Sequence, residues 1–420
     1  MLIEVICTGD EILTGKTINT NYSHTARRLG DLDLEVRWGT TVGDDRETLL
    51  AAFRQAATRA DAVIVNGGLG PTVDDLSQEI AAQAAGVELV LHEGWHARML
   101  EFYQRRGRVM PPNNRKQAML PEGAEMIDNP IGTACGFAVT IGKTRFFFTP
   151  GVPRELRRML DEQVIPRLLA QSGRKSVTRL KRFHTFGIGE SRADEMLSGV
   201  EALAPGGGVK LGFQAHYPQL ETKLAARGAD QAGLDRDLAP VEAAVRQRLG
   251  NFIIAEDEQT LEGNLLASLA KLQGSLAVAE MFTGGTVAAR IAPLDGAERV
   301  FRRGVVARDL DELCRSTGAP SHSAATPEAA IAVARALRAS SDASHALAVL
   351  IDLDQGADRL EFGGNICIGI ADAATALARP ARLLGGRDWV RIGAAELALD
   401  ALRRHLAGLP VDERIDFERR

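Results

Sequence analysis

The stretch DAVIVNGGLGPTVDDLSQEIAAQAAG, residues 61–86, passes from one periodicity to another. DAVIV is an unbroken apolar run, the pattern of a strand buried on both faces. NGGLGPTVDD is a glycine-rich turn. LSQEIAAQAAG returns apolar residues at helical intervals and stops on Gly86, which suits the residue just past a helix end. The same rhythm lies on both sides of it. LIEVIC and LEVRWGTTV read as strands, residues 20–30 and ETLLAAFRQAATRA as helices, and FAVTIGKTRFFFT as a hairpin. PGVPRELRRMLDEQVIPRLLA closes the block with a helix carrying Pro153 near its start. Alternating strands and helices imply a mostly parallel sheet covered on both faces, so residues 1–170 are expected to form a three-layer α/β domain.

The remaining sequence divides in two. QSGRKSVT, 171–178, is polar and aperiodic and reads as a linker. Residues 179–250 fit a small α+β domain: LKRFHTFG, VKLGFQAHY and QLETKLAARG as strands, with two helices. Residues 258–409 are α/β again, and DFERR at the end reads as frayed. With 420 residues, 45% hydrophobic and 25% charged, the composition is that of an ordinary globular protein of two to three domains.

Composition also narrows the function. A net charge of −5 argues against a nucleic-acid binder, which needs a basic surface. The basic stretch Arg174, Lys175, Arg179, Lys181 and Arg182 has no interleaved aromatics and reads as a solvated face. Cys7, Cys135, Cys314 and Cys367 are far apart, so neither a structural zinc nor a disulfide framework is indicated. No apolar run is long enough to span a bilayer, and no leader precedes LIEVIC. The expectation is a cytoplasmic protein with no membrane partner.

Three loops follow strands of the first block, and in a parallel sheet such loops gather on one edge. CTGDEILTGKTINTN brings Asp10, Glu11, Asn19 and Asn21; TVGDDRET brings Asp44 and Asp45; NGGLGPTVDD brings Gly67, Gly68, Gly70, Thr72, Asp74 and Asp75. Glycine turns admit an anion to backbone N–H groups, and carboxylates hold hard cations that bridge to phosphate. The residues therefore point to a phosphate-containing ligand and metal-assisted chemistry. The aspartates also sit where helix caps belong, and Asp75 with Gln78 fits a capping box.

GDEILTG with NTN, VGDD, NGGLGPTVDDLS, NRKQAMLPEGAEMIDNPIGTACGF and TPGVPRE together resemble the N-terminal domain of the competence/damage-inducible CinA family. That domain is similar to the molybdopterin-binding fold of MogA and MoeA. The resemblance implies hydrolysis of ADP-ribose, a small-molecule nucleotide, to AMP and ribose 5-phosphate, dependent on a divalent metal (Mg or Co) and on potassium. It implies Asp44 and Asp75 as catalytic acids, with Glu11, Asp44, Asp74 and Asp75 around the metal. Gly67, Gly68, Gly70 and Thr72 would hold phosphate, Asn21 would lie near the ribose or metal, and Lys116 would neutralise a phosphate. Asn129 and Thr133 belong to a loop that would close on the ligand. Ser77 and Cys135 depart from the family's Thr and Pro without removing a catalytic group. The alternative is a cleft that binds pterin or nucleotide without turnover.

FHTFGIGES resembles the family's KH-like middle segment, for which a spacer or dimerisation role is expected, and the protein is expected to be a homodimer. The third block resembles the CinA C-terminal domain, an NMN amidohydrolase in many members. Its pattern A-E-S-C-T-G-G is here AEMFTGG, with Met281 at the serine. Arg308 and Leu313 stand at the tyrosine and lysine positions, and AVLIDLD replaces a glycine-bearing loop. A thioether has no proton to lose and forms no acyl-enzyme. The expectation is a C-terminal domain without deamidase activity.

Overall fold

A computed structural model describes residues 1–173, 177–354 and 362–419. The chain divides into two compact units, Met1–Thr178 and Arg179–Arg420. The proposed middle and C-terminal domains thus share the second unit.

In the first unit a six-stranded sheet runs in the order Glu35–Val42, Leu2–Thr8, Ala62–Asn66, Thr144–Thr149, Gly136–Ile141, Glu125–Ile127. The first four strands are mutually parallel, and the last two add antiparallel. Val63 and Val65 pack on one face with Phe146, Phe148 and the Arg46–Arg59 helix, while Ile64 and Phe147 pack on the other with Leu160 and Leu168. Period-two alternation within a wholly apolar strand thus fills two cores, as a sheet sandwiched between helices requires. The Ser77–Ala85 helix ends on Gly86 in the left-handed conformation.

The sequence reading places no element between residues 87 and 135, where the structure has a helix over Glu93–Gln104. Its buried residues, Trp95 and Met99, are four apart, but its cap is His92, whose ring accepts the Trp95 N–H at 3.0 Å. Histidine is not among the residues that announce a helix start. The expected linker overlaps the Ile165–Ser172 helix and the Val177–Phe186 strand; Arg174 and Lys175 lie outside the described residues.

In the second unit a four-stranded sheet, ordered Val209–His216, Gln219–Gly228, Val177–Phe186, Ile253–Glu256, is covered by the Gln231–Leu249 helix. The basic stretch is neutralised there: Lys181 pairs with Glu256 and Asp257, each at 2.6 Å, and Arg179 pairs with Asp235. A five-stranded sheet has Phe301–Ala307, Leu276–Met281 and His345–Leu353 parallel, then Gly363–Ala371 and Ala376–Leu384 antiparallel. The last strand holds Pro380 and escaped the sequence reading; it lies at the sheet edge, where proline is tolerated.

The C-terminal segment is not frayed. Ile415 is 2% exposed, Asp416 accepts the Gly189 N–H at 2.8 Å and pairs with Arg192, and Glu418 pairs with Arg379. Phe417 and Val411 pack against the same core as Ile415, and the mostly polar composition of the segment hid these apolar anchors. Among the described residues no helix is long and apolar enough to cross a membrane.

Candidate functional site

The C-terminal ends of the four parallel strands in the first unit meet at one cleft of about 400 Å³. Thr8, Glu11, Asp44, Gly67, Gly68, Gly70, Asp74, Asp75 and Thr133 line it. All three glycine and acid loops therefore converge. The lining residues that the sequence does not single out include Gln117, Pro150, Gly151 and Glu155. The last three follow the Thr144–Thr149 strand, whose hairpin pattern concealed that it also runs parallel to Ala62–Asn66 and ends on the same edge.

The aspartates are sorted by geometry. Asp45 caps the Arg46–Arg59 helix, accepting the Thr48 N–H at 2.9 Å. That leaves Asp44 free of capping. Asp44 and Asp10 instead exchange backbone bonds, Asp10 N–H to Asp44 Oδ2 at 3.2 Å and Asp44 N–H to Asp10 Oδ1 at 3.3 Å. Burial, then the charges of Asp10, Glu11 and Asp74, push the Asp44 carboxyl above its ordinary value. Asp75 does not form the capping box. The Ser77–Ala85 helix has Leu76 at its cap with no side-chain bond, and the Gln78 amide has no partner among the described residues. Asp75 Oδ2 turns back to accept the Thr72 N–H at 2.8 Å and the Thr72 hydroxyl. The bond tightens the loop, and a Cβ on Gly70 would lie 2.3 Å from that oxygen.

The glycine turn is a cradle with open donors. Gly67 N–H is spent on Thr149 O at 3.0 Å, so it is not available to a phosphate. The N–H groups of Gly68, Leu69 and Gly70 donate to no protein atom among the described residues. Gly67 and Gly68 have φ of 110° and 69°, which glycine adopts at no steric cost. The buried hydroxyl of Thr8, which also lines the cleft, has no hydrogen-bond partner among the described residues. Unpaired buried polar groups are costly, so these donors are the features of the cleft that a bound anion would satisfy.

Other expected site residues brace the walls. Asn21 Nδ2 donates to Asn66 Oδ1 at 2.8 Å and to Gly151 O at 2.7 Å, tying two loops together. Thr72 serves Asp75. Lys116 Nζ donates to Thr72 O at 2.9 Å and stands 3.8 Å from Glu79, so it holds the glycine loop and does not line the cleft. Asn129 is buried; its amide donates to Ala134 O and Glu155 Oε2, both at 2.8 Å, and its carbonyl receives the Gly132 N–H. Cys135 packs beneath, and burial pushes its thiol up to about 12.

The lining is one-sided in charge. Glu11, Asp44, Asp74, Asp75 and Glu155 face the cleft, and no lysine or arginine does. Among the described residues no three His, Cys, Asp or Glu side chains stand close enough to hold a metal ion between them. The four residues expected around a metal share a cleft but do not form a preassembled cage.

In the second unit the Leu276–Met281 strand runs into Phe282, at φ 70°, then Gly284 and Gly285, before the Thr286–Ile291 helix. Glu280, fully buried, accepts the Val287 and Ala288 N–H groups at 2.9 and 2.8 Å and the Thr283 hydroxyl at 2.5 Å. Met281 and Leu313 belong to one apolar cluster, with Leu313 wholly buried, while Arg308 is exposed.

Comparison with known proteins places these features. Residues 4–170 match the family model "Probable molybdopterin binding domain", residues 180–255 the "Damage-inducible protein CinA KH domain", and residues 258–406 the "CinA C-terminal domain". A CinA-like protein of Shewanella amazonensis is 36% identical over 417 residues, covering 97% of this chain and 96% of the relative. One from Shewanella sediminis is 38% identical over 418 residues, with coverage of 97% and 96%. Among solved structures, a CinA protein of unknown function from Thermoplasma acidophilum is 35% identical, covers 39% of this chain and 96% of its own, and has a TM-score of 0.37. The molybdopterin biosynthesis enzyme MoaB from Thermus thermophilus is 21% identical, with coverage of 41% and 94% and a TM-score of 0.28.

Proposed function

The chain belongs to the CinA family, and from that premise we propose that its first unit hydrolyses ADP-ribose, or a related nucleotide diphosphate, to AMP and ribose 5-phosphate. One observation carries the reading: Gly68, Leu69 and Gly70, whose N–H groups have no protein acceptor among the described residues, line an otherwise acidic cleft. Donors invite a phosphate, while five carboxylates repel it unless a cation enters too. The lining fits a hydrated divalent ion such as Mg²⁺ or Co²⁺, which takes one or two carboxylates and completes its shell from phosphate and water. Glu11, Asp74 and the free oxygen of Asp75 are the groups to hold it, with K⁺ as a second counter-ion, which leaves the Asp44 carboxylate unligated. Bound there, such an ion polarises a phosphoryl oxygen and acidifies water.

The chain's own residues do the rest. Gly68, Leu69 and Gly70 orient the diphosphate through their N–H groups. Asp44, which lines the cleft and is spared helix capping by Asp45, is the general base that takes the proton of the attacking water. Asp75 keeps the donor loop closed through Thr72. The molybdopterin-binding match favours a second reading, in which the same cleft holds a pterin or nucleotide without cleaving it.

The second unit keeps the strand, turn and helix of an amidohydrolase site without its reacting groups. Hydrocarbon from Met281 and Leu313 occupies the interior where nucleophile and lysine would stand, which supports loss of NMN deamidation.

The test is AMP release from ADP-ribose by the full chain with Mg²⁺ or Co²⁺ and K⁺. Asp44→Asn keeps the shape and removes the base, so turnover should fall by about 10²–10⁴-fold. Undiminished turnover in that variant would remove the assignment, and nucleotide binding without product in the wild type would select the second reading.

A further inference from the structure

A second cavity, of about 520 Å³, adjoins the acidic cleft, and Thr133 lines both. Its far wall is the Glu93–Gln104 helix, which contributes Trp95 and Phe102, with Arg106 just beyond. Its near wall is the Asn129–Thr133 loop, fixed by the bond from Trp95 Nε1 to Thr133 O at 2.9 Å and by Asn129 to Glu155. The two cavities have opposite character. The first has carboxylates and no cation; the second has three arginines and one carboxylate, Glu101.

Two of these arginines are committed: Arg98 pairs with Asp128 and Arg105 with Glu101. Arg106 has no carboxylate partner among the described residues. Its guanidinium lies 3.5 Å from the Phe102 ring centroid. A planar cation stacked on an aromatic ring is a surface on which a planar, electron-rich base continues the stack. Aromatic and guanidinium planes are the common means of holding an unpaired nucleobase. The volume falls within the range of small-ligand sites.

We propose that this arginine and aromatic cavity is the nucleobase subsite: a purine nucleotide whose phosphates sit on the 68–70 turn reaches past Thr133 and stacks its base on Arg106 and Phe102. The inference rests on the reading of the acidic cleft as the phosphate site, and it names what selects a nucleotide over a bare sugar phosphate. The stack supplies binding alone, and no bond is made or broken there.

The experiment titrates AMP and ribose 5-phosphate separately into the full chain by calorimetry, with Mg²⁺ present. Wild type should bind AMP at least about 10-fold more tightly than ribose 5-phosphate, since one base stack is commonly worth that much. Arg106→Ala, an exposed position that threatens no core, and Phe102→Leu should each weaken AMP several-fold and leave ribose 5-phosphate unchanged. Equal affinity for the two ligands, no AMP binding, or AMP affinity unmoved in both variants overturns the subsite. ADP-ribose turnover separates the two levels. Turnover that persists with unmoved AMP affinity sinks the subsite and spares the hydrolase. Absent turnover with the expected fall in AMP affinity sinks the hydrolase and upholds the subsite.

Discussion

Replacing Gly67 by alanine tests the close approach on which the cradle depends. Gly67 has φ of 110°, and a Cβ there would lie 2.6 Å from Thr8 Oγ1 and 2.8 Å from the Thr8 carbonyl oxygen. The hydroxyl can rotate away. The carbonyl cannot, because it belongs to the central Leu2–Thr8 strand, paired on both sides. Two costs add: an L-residue forced to positive φ, about 1–3 kcal/mol, and a core overpacked by one methyl, about 1–3 kcal/mol. The expected loss of stability is roughly 2–6 kcal/mol. Gly86→Ala is the control, for Gly86 has φ of 73° but nothing within 4 Å of its would-be Cβ. It should cost only the backbone part, about 1–2 kcal/mol. Urea unfolding followed by tryptophan fluorescence measures both, in a Trp389→Phe background so that Trp38 and Trp95 report the first unit alone. ADP-ribose turnover should fall with Gly67→Ala and hold with Gly86→Ala. If the two variants are equally stable, the backbone clash does not exist as described and the cradle's geometry is wrong.

The raised pKa of Asp44 has a consequence for the stability of the metal-free protein. Because folded Asp44 holds its proton more tightly than unfolded Asp44, its charge costs stability above the folded pKa, and that cost fades as pH falls through it. Asp44→Asn should therefore match or exceed wild-type stability at pH 7 in urea. Deleting residues 411–420 removes buried Ile415 and the Glu413 partner of buried Arg404, and should cost the second unit roughly 3–5 kcal/mol by Trp389 fluorescence. A loss under about 1 kcal/mol would return that segment to a frayed end. Met281→Ser alone should release no ammonia from NMN, because Leu313 and Arg308 remain; measurable release would show that the nucleophile was the only loss.

The sequence by itself determined the layered first unit, because a strand buried on both faces and a helix with one apolar stripe have distinct periods, visible in DAVIV and in LSQEIAAQAAG. It also determined that three glycine and acid loops share an edge, since parallel strands point their ends one way. The family resemblance singled out Asp44 and Asp75, but local pattern alone does not distinguish Asp44 from Asp45, because each is an aspartate at a helix start. Only the tertiary structure decided that Asp45 caps, Asp75 clasps Thr72, and Asp44 is left lining the cleft, its carboxyl pushed above its ordinary value by burial. The Glu93–Gln104 helix escaped notice because its cap is a histidine, and with it went the arginine and aromatic cavity. That cavity is assembled from residues far apart in the chain, such as Phe102 and Thr133, which have no local pattern in common. Likewise Met281 and Leu313 read as two separate losses in sequence. Their packing in one apolar cluster is a long-range contact, and nothing in the local sequence of either residue records it.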